Sequence, residues 1–122
     1  MIKNFILVGL GGGIGSMLRY AISYIPYKNF PYSTLLVNIT GSFIIGLIAG
    51  LCLNNESLNN SYKIFFAIGI CGGFTTFSAF ALENLQLLQQ GRFFIALLYI
   101  SLSVIFSIIA AWSGFKLSMI GT

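Results

Sequence analysis

The spacing of the charged residues is the feature that most constrains this chain. Only 7% of its 122 residues are charged, whereas a typical globular domain carries about 25%. They are Lys3, Arg19, Lys28, Glu56, Lys63, Glu83, Arg92 and Lys116. The intervals between them provide four stretches of about 20 residues, the length that crosses a hydrocarbon core of about 30 Å as a helix. So few polar side chains do not cover a water-exposed surface. The sequence therefore predicts an all-α membrane protein.

We place the four transmembrane helices at approximately 2–25, 34–53, 64–90 and 92–118. Short polar connections join them at 26–31, 54–63 and 89–92. The helices and connections account for the whole chain, which predicts a single four-helix domain over residues 1–122.

The charge pattern also excludes several functions. With no histidine and two isolated acidic residues, neither a protein-only catalytic dyad nor a zinc site is expected, and we predict that the chain is not an enzyme. Its basic residues are scattered singly and form no patch, so no nucleic acid is expected as a partner.

The basic residues give the chain no preferred orientation. Four spans place three of them on each side of the membrane: Lys3, Lys63 and Lys116 against Arg19, Lys28 and Arg92. Because topology follows the Lys/Arg bias between the two sides, this balance predicts insertion both ways up and pairing of two oppositely oriented copies. The alternative is a fixed topology set by one dominant helix or by a partner protein.

Small residues recur at intervals of four in the first two helices. The pairs are Gly9 and Gly13, Gly11 and Gly15, Gly12 and Ser16, and the run Ser42, Gly46 and Gly50. This spacing lets helix backbones approach closely in lipid. It predicts tight packing, either within one subunit or between two.

The third span combines two adjacent glycines, Gly72 and Gly73, with Thr75 and Thr76. Glycine costs about 1 kcal/mol in a helix interior, and threonine side chains compete for backbone hydrogen bonds. The segment predicts a helix broken at mid-membrane, whose free carbonyls or amides face an ion. The alternative is a kinked helix that only fits its neighbour.

Aromatic and hydroxyl side chains accompany this segment. Phe77 and Phe80 are three residues apart on one helix face, and the positive edge of a phenyl ring attracts an anion. The alternative is that these rings lie in the core or face lipid. Other polar residues form a candidate anion path: Asn38, Tyr99, Ser103 and Ser107. Serine back-bonding within the helix and packing between helices are the alternatives for the hydroxyl row. Arg19, a cation inside a span, is a candidate for attracting anions.

Three motifs together resemble the Fluc (CrcB) fluoride channels. Residues 12–20 (GGIGSMLRY) are similar to the family's first-helix signature, and residues 34–43 (TLLVNITGSF) to its second. Residues 72–80 (GGFTTFSAF) resemble the family's broken third helix. The resemblance covers essentially the whole chain, with small departures at Ser16 and Ala79.

The resemblance implies a fluoride-selective channel that exports cytoplasmic fluoride passively and confers fluoride resistance in a bacterial inner membrane. It implies an antiparallel, dual-topology homodimer with two pores. The implied anion pathway comprises Phe77, Phe80, Asn38, Tyr99, Ser103 and Ser107, with Arg19 near the vestibule. It also implies a structural sodium ion at the dimer centre, held by the backbone carbonyls of Gly72 and Thr75.

Two other functions are compatible with four short spans. A small dual-topology exporter of cationic drugs has a similar length, but such a protein uses a membrane-embedded acid in its first helix, and this first helix has none. A membrane scaffold subunit is the other, and it has no use for exposed backbone at mid-depth.

Overall fold

The computed structural model describes residues 1–24, 30–54 and 60–120. Within those ranges, four helical stretches are long and apolar enough to cross a membrane: Ile2–Ile22, Tyr32–Leu53, Lys63–Gln89 and Phe93–Ile120. The prediction of an all-α protein with four spans is confirmed. The predicted helix end at Ile25 lies outside the described residues, as do Lys28, Glu56 and most of the first two connections.

The helices follow one another in a simple order. They are α1 (Ile2–Ile22), α2 (Tyr32–Asn54), α3 (Asn60–Tyr62), the π-helical π1 (Lys63–Cys71), α4 (Gly72–Phe74), α5 (Ser78–Gln89) and α6 (Phe93–Ile120). The second helix begins two residues before its predicted start at Thr34, immediately after Pro31. Proline suits that place because its φ angle is preset for a helix and its missing N–H is not needed there.

A glycine turn reverses the chain between α5 and α6. Gly91 has a φ of 74°, a left-handed conformation that costs glycine little. The Gly91 N–H donates to the Leu88 carbonyl at 3.0 Å and the Arg92 N–H to the Leu87 carbonyl at 2.9 Å, the paired bonds of a Schellman motif. This turn brings α6 back against α5, where Tyr99, fully buried, packs in one cluster with Leu87.

Small residues set the two closest helix contacts. A side-chain carbon on Gly46 of α2 would overlap the Ala111 carbonyl of α6, and one on Gly114 would overlap the Phe43 carbonyl. On α1, a side-chain carbon on Gly15 would overlap the Ile70 carbonyl. Of the predicted packing glycines, Gly15 and Gly46 therefore act within one subunit; Gly114 is an additional contact that the sequence did not predict.

We expect Gly15→Ala to destabilise the subunit, since the added methyl meets backbone atoms of the third span, including the Phe74 nitrogen at 2.7 Å. Overpacking of this kind costs about 1–3 kcal/mol, more than the roughly 1 kcal/mol that alanine gains over glycine in a helix. Denaturation of the protein in detergent micelles with SDS would measure the change.

The control is Gly9→Ala on the same helix, where an added methyl has no neighbour within 4 Å. Equal stability of the two variants would contradict the packing described for α1.

Candidate functional site

The third span leaves helical geometry between α4 and α5. Thr75 has extended backbone with a ψ of 157°, and α5 resumes only at Ser78. Because the regular pattern of bonds from each N–H to the carbonyl four residues earlier stops here, several backbone groups need other partners. Side chains of α1, of α2 and of the interruption itself provide them.

Asn38 of α2 binds the backbone of Thr76 from both sides. Its Nδ2 donates to the Thr76 carbonyl at 3.0 Å, and its Oδ1 accepts the Thr76 N–H at 2.8 Å. In a continuous α-helix that N–H would donate to the Gly72 carbonyl. The Asn38 Oδ1 therefore accepts the N–H that would otherwise donate to the Gly72 carbonyl.

The Thr76 side chain likewise binds a backbone N–H group of the third span, three residues later. Its Oγ1 accepts the Ala79 N–H at 3.2 Å, which is the bond an N-cap residue makes with the first turn of a helix. A continuous helix would direct that N–H to the Thr75 carbonyl. Thr76 thus caps the helix that follows the interruption and leaves the Thr75 carbonyl without its helical donor.

Arg19 of α1 contacts the interruption from the opposite helix. Its Nε donates to the Gly73 carbonyl at 3.1 Å, and the side chain is partly buried. The predicted role of Arg19 was to attract anions. The structure places its guanidinium on a backbone carbonyl of the third span.

A cavity of about 470 Å³ lies beside the interruption. Its lining contains no charged residue: Asn38, Gly41, Ser42, Ile45, Cys71, Gly72, Thr75, Thr76, Phe77, Phe80, Ser103, Val104 and Ser107. We call it the neutral cavity. An ion inside it would meet only dipoles, aromatic rings and apolar groups of this subunit.

The two phenylalanines border the neutral cavity in different surroundings. Phe77 is 78% exposed, whereas Phe80 is 9% exposed. Their ring centroids are 5.5 Å apart, and Phe80 packs against the Tyr99 ring at 5.0 Å. Phe80 is therefore held by its neighbours, while Phe77 projects from the subunit.

Ser103 and Ser107 of α6 line the neutral cavity, and their hydroxyls have no partner. The Oγ atoms of Ser103 and Ser107 are buried and have no hydrogen-bond partner in the structure. The alternative that these serines bond back to their own helix is therefore wrong. Buried polar atoms without partners are rare in proteins, which makes these hydroxyls candidates for binding an ion or water.

Glu83 ties three helices together next to this cavity. Its Oε2 accepts the Thr34 hydroxyl at 2.8 Å, and its Oε1 accepts the Tyr99 hydroxyl at 2.9 Å. Tyr99 is not among the residues that line the neutral cavity. Its hydroxyl donates to the carboxylate on the helix beside it.

A second, smaller cavity of about 180 Å³ adjoins the first. We call it the charged cavity, because its lining includes both Arg19 and Glu83. The remaining lining residues are Ser23, Ser33, Thr34, Val37, Thr76 and Ala79. Thr76 lines both cavities and marks where they meet.

The structure thus brings most of the predicted site residues together and separates two of them. Those around the neutral cavity are Asn38, Gly72, Thr75, Phe77, Phe80, Ser103 and Ser107. Arg19 lies at the charged cavity, and Tyr99 does not line the neutral cavity. The sequence predicted that Thr76 helps to break the helix, but it predicted neither the bonds of Thr76 to Asn38 and Ala79 nor that of Thr34 to Glu83.

Comparison with known proteins assigns the chain to a family. Residues 6–115 match the family described as CrcB-like protein, Camphor Resistance (CrcB), and the chain belongs to that family. It is a multi-pass membrane protein.

Among the relatives of this chain are three proteins named fluoride-specific ion channel FluC. The one from Azobacteroides pseudotrichonymphae is 46% identical, over 97% of this chain and 98% of the relative. That from Flavobacterium psychrophilum is 45% identical, over 92% and 94%. The Pyrococcus abyssi relative is 39% identical, over 96% and 97%.

We expect Asn38→Ala to loosen the interruption, because it removes both bonds to Thr76 at once. Leaving a fully buried backbone group without a partner costs about 1–3 kcal/mol. Because Thr76 is partly buried, we expect the lower end of that range, and its amide should exchange with deuterium about 10-fold faster. Amide hydrogen exchange followed by NMR in micelles would measure this.

Ser42→Ala, one turn further along α2 and lining the same cavity, is the matched control. Unchanged exchange at Thr76 in the Asn38 variant would show that its side chain does not hold the interruption.

Proposed function

We propose that this protein is a fluoride-selective ion channel that exports cytoplasmic fluoride passively and so gives resistance to fluoride. The family membership and the shared name of the relatives support this function. The single structural observation that carries it is the neutral cavity, which is lined beside an interrupted helix by two phenylalanines and by two serines with unpartnered hydroxyls. Both point to an ion channel and not to an enzyme.

The lining chemistry suits a small anion that has lost part of its water. The O–H groups of Ser103 and Ser107 can donate to it, and the positive edges of Phe77 and Phe80 can replace other waters. Because no full positive charge lines this cavity, the anion is held weakly enough to leave. Conduction requires that balance between entry and release.

The charged cavity adjoins this path at Thr76. Its donors are largely engaged, because Arg19 Nε donates to the Gly73 carbonyl, and the Ser23 and Thr34 hydroxyls donate to the Tyr20 carbonyl and to Glu83. The membrane potential supplies about 2.3 kcal/mol per 100 mV for each charge that crosses. The inner membrane of a bacterium has an inside-negative potential. This potential drives fluoride out of the cell without a coupled reaction.

We propose an antiparallel homodimer as the working unit. The charge balance of the sequence supports insertion in both orientations. The exposure of Phe77, at 78%, supports a second copy that covers this face and completes the path, since a ring at the edge of an ion path needs walls on both sides.

We also propose the structural sodium ion that the family resemblance implies. Sodium prefers oxygen ligands, and broken helices in membrane proteins offer backbone carbonyls to it. The carbonyls of Gly72 and Thr75 fit this role, because Asn38 and Thr76 take the N–H groups that would otherwise bond them. When bound, the ion would supply a fixed positive charge at the dimer centre.

The exporter of cationic drugs is not supported. A proton-coupled exporter of cations uses a membrane-embedded acid in its first helix, and α1 contains no acidic residue. Its one charge near the third span is Arg19, which has the sign opposite to that required.

The deciding experiment measures anion efflux from potassium-loaded proteoliposomes after valinomycin is added. We expect rapid fluoride loss, read with a fluoride electrode, and no chloride loss in a parallel run, because the family resemblance implies selectivity for fluoride over chloride. No fluoride loss from verified dimers would overturn the proposal, and drug–proton exchange would then be measured in the same vesicles.

Phe77→Ile and Phe80→Ile serve as variants of that experiment, since isoleucine keeps the apolar bulk and removes the ring edge. Loss of one such contact, about 1.4 kcal/mol, lowers flux roughly tenfold. Phe66→Ile, a partly exposed ring on π1 outside the cavity, should leave flux unchanged.

The homodimer generates a separate prediction on orientation. We expect a reporter fused to the C-terminus to give signal on both sides of the membrane, because neither side has an excess of basic residues. Adding two lysines after Thr122 should shift the population toward one orientation. Signal on a single side of the membrane for the unmodified chain would contradict dual topology.

A further inference from the structure

We infer that Arg19 is a positioning residue, which holds the backbone of the interruption through its Nε–H, and that its charge is not what the conduction path uses. This inference rests on the proposed function, since it concerns the same path. It differs from the role expected for Arg19, which was attraction of anions.

The packing of α1 directs Arg19 onto the interruption. Gly15 lies against the Ile70 carbonyl and the Phe74 nitrogen, so the α1 backbone is in contact with the third span at that level. Arg19 follows Gly15 by four residues and therefore shares its helix face. Its side chain reaches the next backbone group along, the Gly73 carbonyl at 3.1 Å.

The Gly73 carbonyl lies between the two carbonyls proposed for sodium. In a continuous helix the Phe77 N–H would donate to it, but Phe77 lies after the extended Thr75. Arg19 replaces that donor with a charge-assisted hydrogen bond, about twice as strong as a neutral one. The peptide unit at Gly73 is thereby held at a defined angle.

Holding Gly73 constrains the residues on both sides of it. Gly72, Thr75 and Phe77 line the neutral cavity, whereas Arg19 lines only the charged one. A rotation of the Gly73 peptide unit would reorient the neighbouring carbonyls and shift the Phe77 ring. Arg19 thus acts on the conduction path through backbone geometry, from outside the path's lining.

Two substitutions separate the donor from the charge. Arg19→citrulline, introduced by unnatural amino-acid incorporation, keeps the Nε–H and removes the charge. Arg19→Lys keeps the charge but has no donor at that position, because its ammonium is a compact group at the end of a flexible stem. Lys3→Gln is the control, since it removes a positive charge from the far end of the same helix.

We expect the citrulline protein to keep fluoride flux within about threefold of the unmodified protein, and the lysine variant to lose about tenfold or more, as for a broken charge-assisted hydrogen bond. Attraction by charge would give the reverse order, with a loss that shrinks as salt screens the charge. That reverse order would overturn the inference. An unmodified protein that conducts no fluoride would instead overturn the proposed function.

A spectroscopic measurement tests the hydrogen bond independently of flux. Labelling glycine carbonyls with ¹³C and phenylalanine nitrogens with ¹⁵N selects only the two Gly–Phe peptide bonds of the sequence, Gly73–Phe74 and Gly114–Phe115. We expect the Gly73 carbonyl shift to move in the lysine variant and to stay near its original value with citrulline. The Gly114 signal is the internal reference, and a Gly73 signal that is the same in all three proteins would overturn the inference.

Discussion

Every backbone N–H and C=O group away from water must find a partner, and this requirement governs the structure around the third span. A continuous helix meets it without help, whereas an interrupted one depends on side chains. Here Asn38 pairs with both backbone groups of Thr76, and Thr76 in turn caps the helix that begins at Ser78. The interruption has a defined geometry because side chains replace the lost partners of the Thr76 and Ala79 N–H groups.

Close backbone approach makes those replacements possible. The side chains of Asn38 and Arg19 are short relative to the diameter of a helix, so they reach backbone atoms only where helices nearly touch. Gly15 of α1 and Gly73 of the third span permit the contact between these two segments. A side-chain carbon at either position would overlap backbone atoms of the other segment. The small-residue pattern and the polar contacts are therefore two parts of one arrangement.

The sequence was sufficient for the spans and for most residues of the cavity, but not for their hydrogen bonds. Charge spacing identified four helices because each charge near the bilayer centre is costly. The Gly–Gly–Phe–Thr–Thr run at residues 72–76 predicted the interruption through local propensity. By contrast, the bond from Arg19 to Gly73 joins residues 54 positions apart, and that from Thr34 to Glu83 joins residues 49 apart. Such contacts depend on helix packing, which spacing in one sequence does not determine.

The distribution of charge between the two cavities follows from what a conducting path requires. A full cation beside a stripped anion would bind it tightly and slow its release. In this structure the guanidinium of Arg19 is bonded to a carbonyl and Glu83 accepts two hydroxyls, so both charges are engaged outside the neutral cavity. The hydroxyls of Ser103 and Ser107 remain without partners inside it. Weak dipoles along the path would let the ion pass rapidly. Charged groups that are already hydrogen-bonded outside the path would hold the backbone of the site in place.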